Sequence, residues 1–352
     1  MGKTSLRLGF MNSENLFSPG NSFYGSEYTP KQYKEKFEWI GKRVADLRVH
    51  VCSFTEIGED PNTCLQDVMR VANREDTKTK PPFSHIFLAE PAKAGAQIRV
   101  AIMSRFPLSE MESLVQYPAG FSVDLHKPGT DPDDASNWIT VPSTEYSRPV
   151  GKAKITPPNN ATPFNLFVVH LKSKRATKAK HDNYNEAIGI ARAAIRRNLE
   201  AAALRYYLDT FLPAQYQQDP EVPTILVGDF NDVPNSVPIE NIRGPFDKDP
   251  GPSGTWSEPD KRRLLSCARL HMKKSAYDDK LFSYVHNESF TLIDQAFVTE
   301  HLPRRFTRLE VYNDHVFRHQ SIKEGTEEEQ QWKSMVTDHG IIVLEITRML
   351  KP

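Results

Sequence analysis

The chain has little cysteine, no excess of either charge and no long apolar run, and each shortage removes a class of protein. Three cysteines, Cys52, Cys64 and Cys267, occur in 352 residues. Their number is odd, their spacing is irregular and no Cys-x-x-Cys occurs, so the sequence carries neither a disulfide framework nor a zinc pattern. Cys52 sits in an apolar run and reads as a buried thiol; a Cys52–Cys64 bridge stays open. Lys+Arg and Asp+Glu both number 45, a formal net charge of zero. A protein that coats nucleic acid without selectivity is usually basic, so any contact with phosphate falls here to a local patch. No run approaches the roughly 18 apolar residues of a membrane span. No leader is visible: Met1-Gly2-Lys3-Thr4 runs straight into Leu6–Phe10, which reads as the first strand. The expectation is a cytoplasmic protein with no membrane span and no obligate protein partner.

What is present is a series of short apolar or alternating runs along the whole chain. They are Leu6–Phe10, Val49–Phe54, Ile86–Leu88, Val100–Met103, Phe164–Val169, Thr224–Val227, Phe290–Val298 and Ile341–Ile346. Val, Ile and Phe dominate them and polar punctuation ends them, which favours strands. Two helices stand out. Over 30–47, Tyr33, Phe37, Ile40, Val44 and Leu47 form one apolar stripe, with Thr29 as N-cap and Pro30 at the first helical position. From about Tyr184 to Phe211, Ile188, Ala191, Ile195, Leu199, Ala202 and Tyr206 form a second stripe, flanked by Arg192, Arg196 and Arg197 as a solvated face. Many strands with few helices predict an α+β fold of two stacked sheets covered by helices. No linker or repeat divides the chain, so 1–352 reads as one domain. Surface insertions are expected near 118–147, Pro/Asp-rich from Lys127 to Thr144, and near 245–263.

Polar clusters sit at or near the strand ends. Gly228-Asp229-Phe230-Asn231 follows Thr224–Val227. Alternation along an extended backbone lets Asp229 and Asn231 share a face while Phe230 points to the core. Asn12 and Glu14 follow Leu8–Met11, and Glu56 follows Val51–Phe54. His170, Lys172, Ser173 and Arg175 follow Leu166–Val169, and Asp294 and Asp338-His339 lie in the last part of the chain. Taken singly, each is readable as a strand-end turn, a surface acid, a structural histidine or, for Lys172–Lys180, a solvated helix start. Together they predict one rim rich in carboxylates, amides and histidines. Crowded carboxylates resist burial unless a cation joins them. Hard oxygen ligands without cysteine point to Mg²⁺, Mn²⁺ or Ca²⁺. Such a set suits metal-assisted attack of water on a phosphoester.

The order of these clusters resembles the deoxyribonuclease-I-like endonuclease/exonuclease/phosphatase superfamily. The resemblance rests on Phe10-Met11-Asn12-Ser13-Glu14-Asn15-Leu16-Phe17, Thr55-Glu56, Val100–Pro107, Arg148-Pro149-Val150 and His170-Leu171-Lys172-Ser173. It continues through Val227–Asp232, Leu292–Val298 and Thr337-Asp338-His339-Gly340. It implies a four-layered α/β sandwich of two packed, mainly antiparallel sheets flanked by helices, and a phosphoesterase dependent on a divalent metal. By the same resemblance Glu56 is the main metal ligand, with Asn12, Glu14 and Asp338 near the same ion or a second. His170, Asp229 and Asn231 hold the scissile phosphate and the attacking water. Asp294 orients His339, and either His339 or Asp229 is the base. Arg148 steadies phosphate charge, with Lys172, Ser173 and Arg175 beside it. Thr55 and Thr337 replace the usual glutamine and serine, and Gln295 replaces a common basic residue or histidine.

The leading expectation for substrate is nucleic acid, cleaved by a nuclease or phosphodiesterase. Lys172, Lys174, Arg175, Lys178 and Lys180, with Lys261-Arg262-Arg263, offer local basic patches for backbone phosphates. Phe121, Trp138 and Tyr146 in the first insertion are read as loop anchors, with base stacking as the other option. The alternative is a phosphoesterase for a small molecule or lipid headgroup, which zero net charge favours. A lipid enzyme is expected to expose an apolar hairpin, and none is convincing in the sequence.

Overall fold

Thr29 accepts a hydrogen bond from the Gln32 N–H while Gln32 reaches back to the Thr29 N–H, and Pro30 follows, so a capping box starts a helix at the expected residue. The helix ends at Arg48 in the left-handed conformation. In this computed structural model the described residues are 5–22, 26–58, 61–91, 98–159, 161–178, 185–244, 262–274, 281–286, 288–300, 302, 305–321, 325–347 and 349. The strands are β1 (Ser5–Leu16), β2 (Val51–Ile57), β3 (His85–Leu88), β4 (Arg99–Ser104), β5 (Leu108–Gln116), β6 (Asp124–His126), β7 (Trp138–Thr140), β8 (Glu145–Ile155), β9 (Phe164–His170), β10 (Thr224–Asp229), β11 (Leu264–Ser266), β12 (Tyr284–His286), β13 (Ser289–Thr291), β14 (Asp294–Thr299), β15 (Phe306–Tyr312) and β16 (Ile341–Thr347). The helices are α1 (Pro30–Leu47), α2 (Pro61–Glu75), α3 (Glu186–Gln218), α4 (Val237–Arg243), α5 (Cys267–Lys274), α6 (Asp314–Ser321) and α7 (Glu327–Met335).

Two six-stranded sheets form, in the orders β15-β16-β1-β2-β4-β3 and β11-β14-β10-β9-β8-β5. Among the described residues only β1–β2 and β9–β10 pair in parallel, so both sheets are mainly antiparallel. Alternation sorts the side chains into layers. Leu6, Leu8 and Phe10 of β1 meet Phe164, Leu166 and Val168 of β9 and Ile225 and Val227 of β10 between the sheets. Cys52, Phe54 and Met103 face the other way onto Ile40 and Val44 of α1 and Val68 of α2. Phe167, Leu226 and Phe297 face Leu204 and Leu208 of α3 and Ile239 of α4. The result is the expected four-layered sandwich. Each fully buried large apolar side chain contributes about 1.5–3 kcal/mol.

The end of β4 is tied down by Arg105. Its guanidinium bonds Asp76 at 2.7 Å and the carbonyls of Val49, Thr79 and Pro81, and it lies 4.0 Å from the Phe83 ring centre. All three cysteines are buried thiols outside any disulfide. Among the described residues no helix is long and apolar enough to cross a membrane.

Several expectations are corrected. In α3, Ile188, Ile195 and Tyr206 are exposed, and the buried face runs through Ala193, Arg197, Glu200, Ala201, Leu204 and Leu208. The sequence stripe has helical spacing and its Leu199 is buried, but most of it lies on the wrong side, because Arg197 and Glu200 are buried with partners. Arg197 pairs with Asp232 at 2.8 Å, and Glu200 accepts the Ser147 and Lys172 N–H groups. Residues 171–178 contain no helix, so the described part of the basic run begins none. Phe290–Val298 splits between β13 and β14, with a break at Leu292 and Ile293. Tyr146 is buried edge-on to Tyr117, and Phe121 packs edge-on against Tyr117 and Tyr206, so both are anchors. The first insertion is not a bare loop: β6 and β7 pair as a hairpin that exposes Leu125, Trp138 and Ile139. Most of the 245–263 insertion, with Lys180 and Lys261, lies outside the described residues.

Candidate active site

The site begins where the inter-sheet core ends. Along β1 the inward row is Leu6, Leu8, Phe10 and then Asn12; along β9 it is Phe164, Leu166, Val168 and then His170. Along β10 it is Ile225, Val227 and then Asp229, and β14 starts at Asp294 before Ala296 and Val298. Each strand therefore carries the same period-2 row one step past the apolar core into a polar residue. Register brings the rows together, since Asp229 is paired with His170 on one side and with Asp294 on the other. Gly228 permits this approach: a Cβ there would stand 2.0 Å from the Val169 carbonyl oxygen. Phe230 turns back into the core against Phe297, as alternation predicts.

Glu56 does not follow the same rule. Strict alternation would send it with Cys52 and Phe54 toward the helices. Instead it adopts a left-handed backbone, φ 62°, where the pairing register of β2 with β4 shifts between Phe54 and Ile57. Glu14 (φ 47°) and Asn15 (φ 62°) do the same at the irregularity in β1, and Asn231 (φ 53°) follows β10. Such conformations cost a non-glycine residue about 1–2 kcal/mol and persist where surrounding bonds hold them. The Asn12 side chain accepts the Glu14 N–H at 2.9 Å, Glu56 accepts the Asn15 N–H at 3.1 Å, and Asp229 accepts the Asn231 N–H at 2.8 Å.

The Asn12 amide is the hub. Its Nδ2 donates to Glu56 at 3.3 Å and to Asp229 at 3.1 Å, and lies 3.5 Å from His339 Nε2. His339 Nδ1 is 2.8 Å from Asp294 Oδ2, and its Nε2 is 3.7 Å from Asp338. The backbone N–H of Asp338 donates to Glu14 at 3.1 Å. His170 Nε2 lies 3.7 Å from Glu56 and 3.6 Å from Asp229. Asn231 Nδ2 is shared between Asp229 and the Leu171 carbonyl.

Burial sets the electrostatics. It pushes the Glu56 carboxyl up, against the pull of the His339 and Arg148 charges. It pushes Glu14 well above the carboxylate range, and the Asp338 charge adds to the effect. Burial and then Asp294 raise Asp229 to about 7. Burial and then the Arg148 charge hold His170 well below the usual histidine value. For His339 burial pulls down, but Asp294, Asp338 and Asp229 outweigh it and the imidazole sits well above its ordinary value.

These residues floor a cavity of about 720 Å³, a size usual for ligand sites. Arg148, Ser173, Lys174 and Arg175 also line it. Lys172 does not line it; its ammonium turns to Ser173 and the Arg175 carbonyl. Asn12 and Asp294 lie beneath the floor. The cavity lining also includes Tyr284, His286, Ser289 and Thr291 from β12–β13, which were not foreseen. Tyr284 bridges to His339 through the backbone and holds its ring 5.0 Å from the imidazole, while Tyr284 and His286 stack at 6.3 Å. The signal was available as Tyr-x-His just upstream of Asp294. His315, whose ring nitrogen is 2.8 Å from the His339 carbonyl, and the buried Lys36 were also missed.

The donor set fits a hard divalent cation. Glu56, His170 and Asp229 each place one ligand atom within 4.8 Å of the others, as do Asp229, Asp294 and His339. Oxygen donors dominate, neither group contains a cysteine, and the buried Oδ1 of Asp294 has no hydrogen-bond partner among the described residues.

A search of curated proteins finds no match. Solved structures with the same fold include an endonuclease/exonuclease/phosphatase family protein from Leptotrichia buccalis, 11% identical, with 97% of this chain and 99% of that chain covered and a TM-score of 0.51. A 3'-5' exonuclease from Neisseria meningitidis is 11% identical over 97% and 99% of the two chains, TM-score 0.52. Truncated TDP2 from Caenorhabditis elegans is 9% identical over 98% of each, TM-score 0.52. The sequence pattern of the Endonuclease/Exonuclease/phosphatase family matches residues 38–339, a span holding every strand-end cluster except Asn12 and Glu14. With that match over most of its length and the sandwich fold beneath it, the chain belongs to the endonuclease/exonuclease/phosphatase family.

Proposed function

We propose that this phosphoric-ester hydrolase cleaves phosphodiester bonds of nucleic acid with the help of Mg²⁺ or Mn²⁺. The observation that carries the reading is the cavity itself. Its lining joins Glu56, His170, Asp229 and His339 with Arg148, Lys174 and Arg175 and with the stacked Tyr284 and His286. Cations in the lining suit the phosphate backbone, and stacked rings suit a base.

Glu56 and Asp229 would hold the divalent ion, with Asn12 fixing both carboxylates and Asp338 nearby. A bound divalent cation offsets negative charge on the phosphoryl oxygens. Asp229 takes the proton of the attacking water, its direction fixed by the Asn12 and Asn231 amides. His339, held by Asp294, carries positive charge to the phosphate; Asn231, His170 and Arg148 complete its cradle.

A second reading, cleavage of a small or lipid-headgroup diester, is favoured by one observation, the exposed Leu125, Trp138 and Ile139 of the β6–β7 hairpin. That hairpin leaves β5 and enters β8 at the His170 end of the second sheet. The two readings separate on parallel substrates. End-labelled single- and double-stranded oligonucleotides and a phosphocholine diester in vesicles are each offered with Mg²⁺, Mn²⁺ or chelator. Metal-dependent oligonucleotide cleavage that weakens with salt supports the first reading. Turnover of the vesicle substrate alone overturns it in favour of the second.

A further inference from the structure

Glu200 is buried on α3, outside the cavity lining, and both of its oxygens are taken. Oε1 accepts the Ser147 N–H at 2.9 Å, the Ser147 hydroxyl, and the Arg196 Nε–H at 3.2 Å. Oε2 accepts the Lys172 N–H at 2.7 Å. A buried carboxylate is costly unless donors and opposite charge compensate it, and these do. Packing alone does not call for one here, since Ala201, Leu204 and Leu208 on the same helix cover the second sheet with apolar surface.

What Glu200 holds lies one residue or one peptide plane from the site. Ser147 precedes Arg148, which lines the cavity. The Lys172 N–H belongs to the Leu171–Lys172 peptide. The carbonyl of that same peptide accepts the Arg148 guanidinium at 3.2 Å and the Asn231 amide at 3.1 Å. In a trans peptide such as this one the N–H and C=O point opposite ways, so Glu200 grips one edge and the two cavity residues grip the other. A carboxylate on the N–H also makes the carbonyl a better acceptor, because hydrogen bonds in series polarise one another. Arg148 is thus held at both ends by one carboxylate: its backbone through Ser147, its guanidinium through the Leu171 carbonyl. Arg197, one turn earlier on α3, bonds the Lys172 carbonyl at 3.2 Å and Asp232 at 2.8 Å, and the Leu171 N–H donates to the Asp229 carbonyl at 3.0 Å, so the segment is fixed on either side. We propose that Glu200 is a positioning residue of the site: acting through Ser147 and the Leu171–Lys172 peptide, it sets where the Arg148 guanidinium and the Asn231 amide meet a substrate phosphate. The proposal rests on the phosphodiesterase reading of the site. It gives Lys172 a part that its peptide N–H plays, not its ammonium.

The test is a double-mutant cycle between Glu200→Gln and Arg148→Met, read as kcat/KM on bis-p-nitrophenyl phosphate with Mn²⁺. Glutamine keeps the size of the side chain but turns one acceptor into a donor, which leaves either the Ser147 or the Lys172 N–H without its partner. In wild type the exchange is expected to lower kcat/KM about tenfold or more, since misplacing a contact by about an ångström suffices for that. In Arg148→Met the same exchange should cost at least about threefold less, because the group that Glu200 places is gone. An equal fall in both backgrounds, which a purely structural carboxylate would give, would overturn the proposal and leave the phosphodiesterase reading standing. So would a Glu200→Gln enzyme within about threefold of wild type. No metal-dependent turnover by wild type would overturn the phosphodiesterase reading itself. Melting curves check the folding of each variant. If Glu200→Gln does not fold, Glu200→Asp, which keeps both acceptors on a shorter arm, carries the same expectation.

Discussion

His339 Nδ1 and Asp294 Oδ2 lie 2.8 Å apart, both buried, at the junction of the two sheets. A carboxylate on Nδ1 fixes the imidazole's orientation and favours its protonated form, leaving Nε2 at the site. Asp294→Asn keeps the shape and removes the charge. The expected outcome is a fall in kcat of about 10²–10⁴-fold with an unchanged melting temperature or a small rise, since a buried carboxyl is removed. A kcat within threefold of wild type would take Asp294 out of the mechanism.

Arg105 makes its test at the opposite end of the first sheet. Removing it strands Asp76 and the carbonyls of Val49, Thr79 and Pro81. Arg105→Met should cost about 3–5 kcal/mol in urea unfolding, the range for breaking a buried ion pair. The activity of the folded fraction should stay as it is. A loss below about 1 kcal/mol would show the network contributes little.

His50 gives the fold a pH dependence with a definite sign. Burial, and then the Arg105 charge, lower its pKa from 6.5 to about 4, and its Nδ1 accepts the Arg7 N–H, which only an unprotonated nitrogen does. The unfolded chain therefore takes up a proton near pH 6.5 that the folded chain refuses until about 4. Stability contributed by neutral His50 is complete above 6.5 and is lost as pH falls toward 4, by about 3 kcal/mol in all. His50→Gln keeps an acceptor for Arg7 and should flatten the stability profile across this window. An unaltered slope in the variant would assign the pH dependence to other groups.

The layers were legible because alternation is a strong signal: Leu6, Leu8 and Phe10, or Phe164, Leu166 and Val168, can face only one way if both sheets are covered. The same signal placed Asn12, His170 and Asp229 at one rim, as continuations of those rows. It misplaces Glu56 and Glu14, whose direction comes from left-handed backbone and shifted register, which no spacing announces. For Glu56 the resemblance to a family supplied what periodicity did not. The face of α3 was misread because isoleucine outranked arginine and glutamate as a sign of burial. Arg197 and Glu200 are buried by partners from distant segments, Asp232, Ser147 and Lys172. Lys36 was hidden for a similar reason, since a lysine in a helix reads as solvated and this one is fully buried. The β6–β7 hairpin escaped because each strand is three residues long and proline and aspartate surround them.

The most direct test of the central claim, that this rim of carboxylates and histidines is a divalent-metal phosphodiesterase site, is hydrolysis of bis-p-nitrophenyl phosphate by wild type, His339→Ala and Asp229→Asn. Each is assayed with Mn²⁺, Mg²⁺ or chelator after melting curves confirm folding. The account predicts metal-dependent release of nitrophenolate by wild type, abolished by chelator and reduced at least about 10²-fold in each variant. Turnover that survives chelator, or that either folded variant retains within threefold, would contradict it.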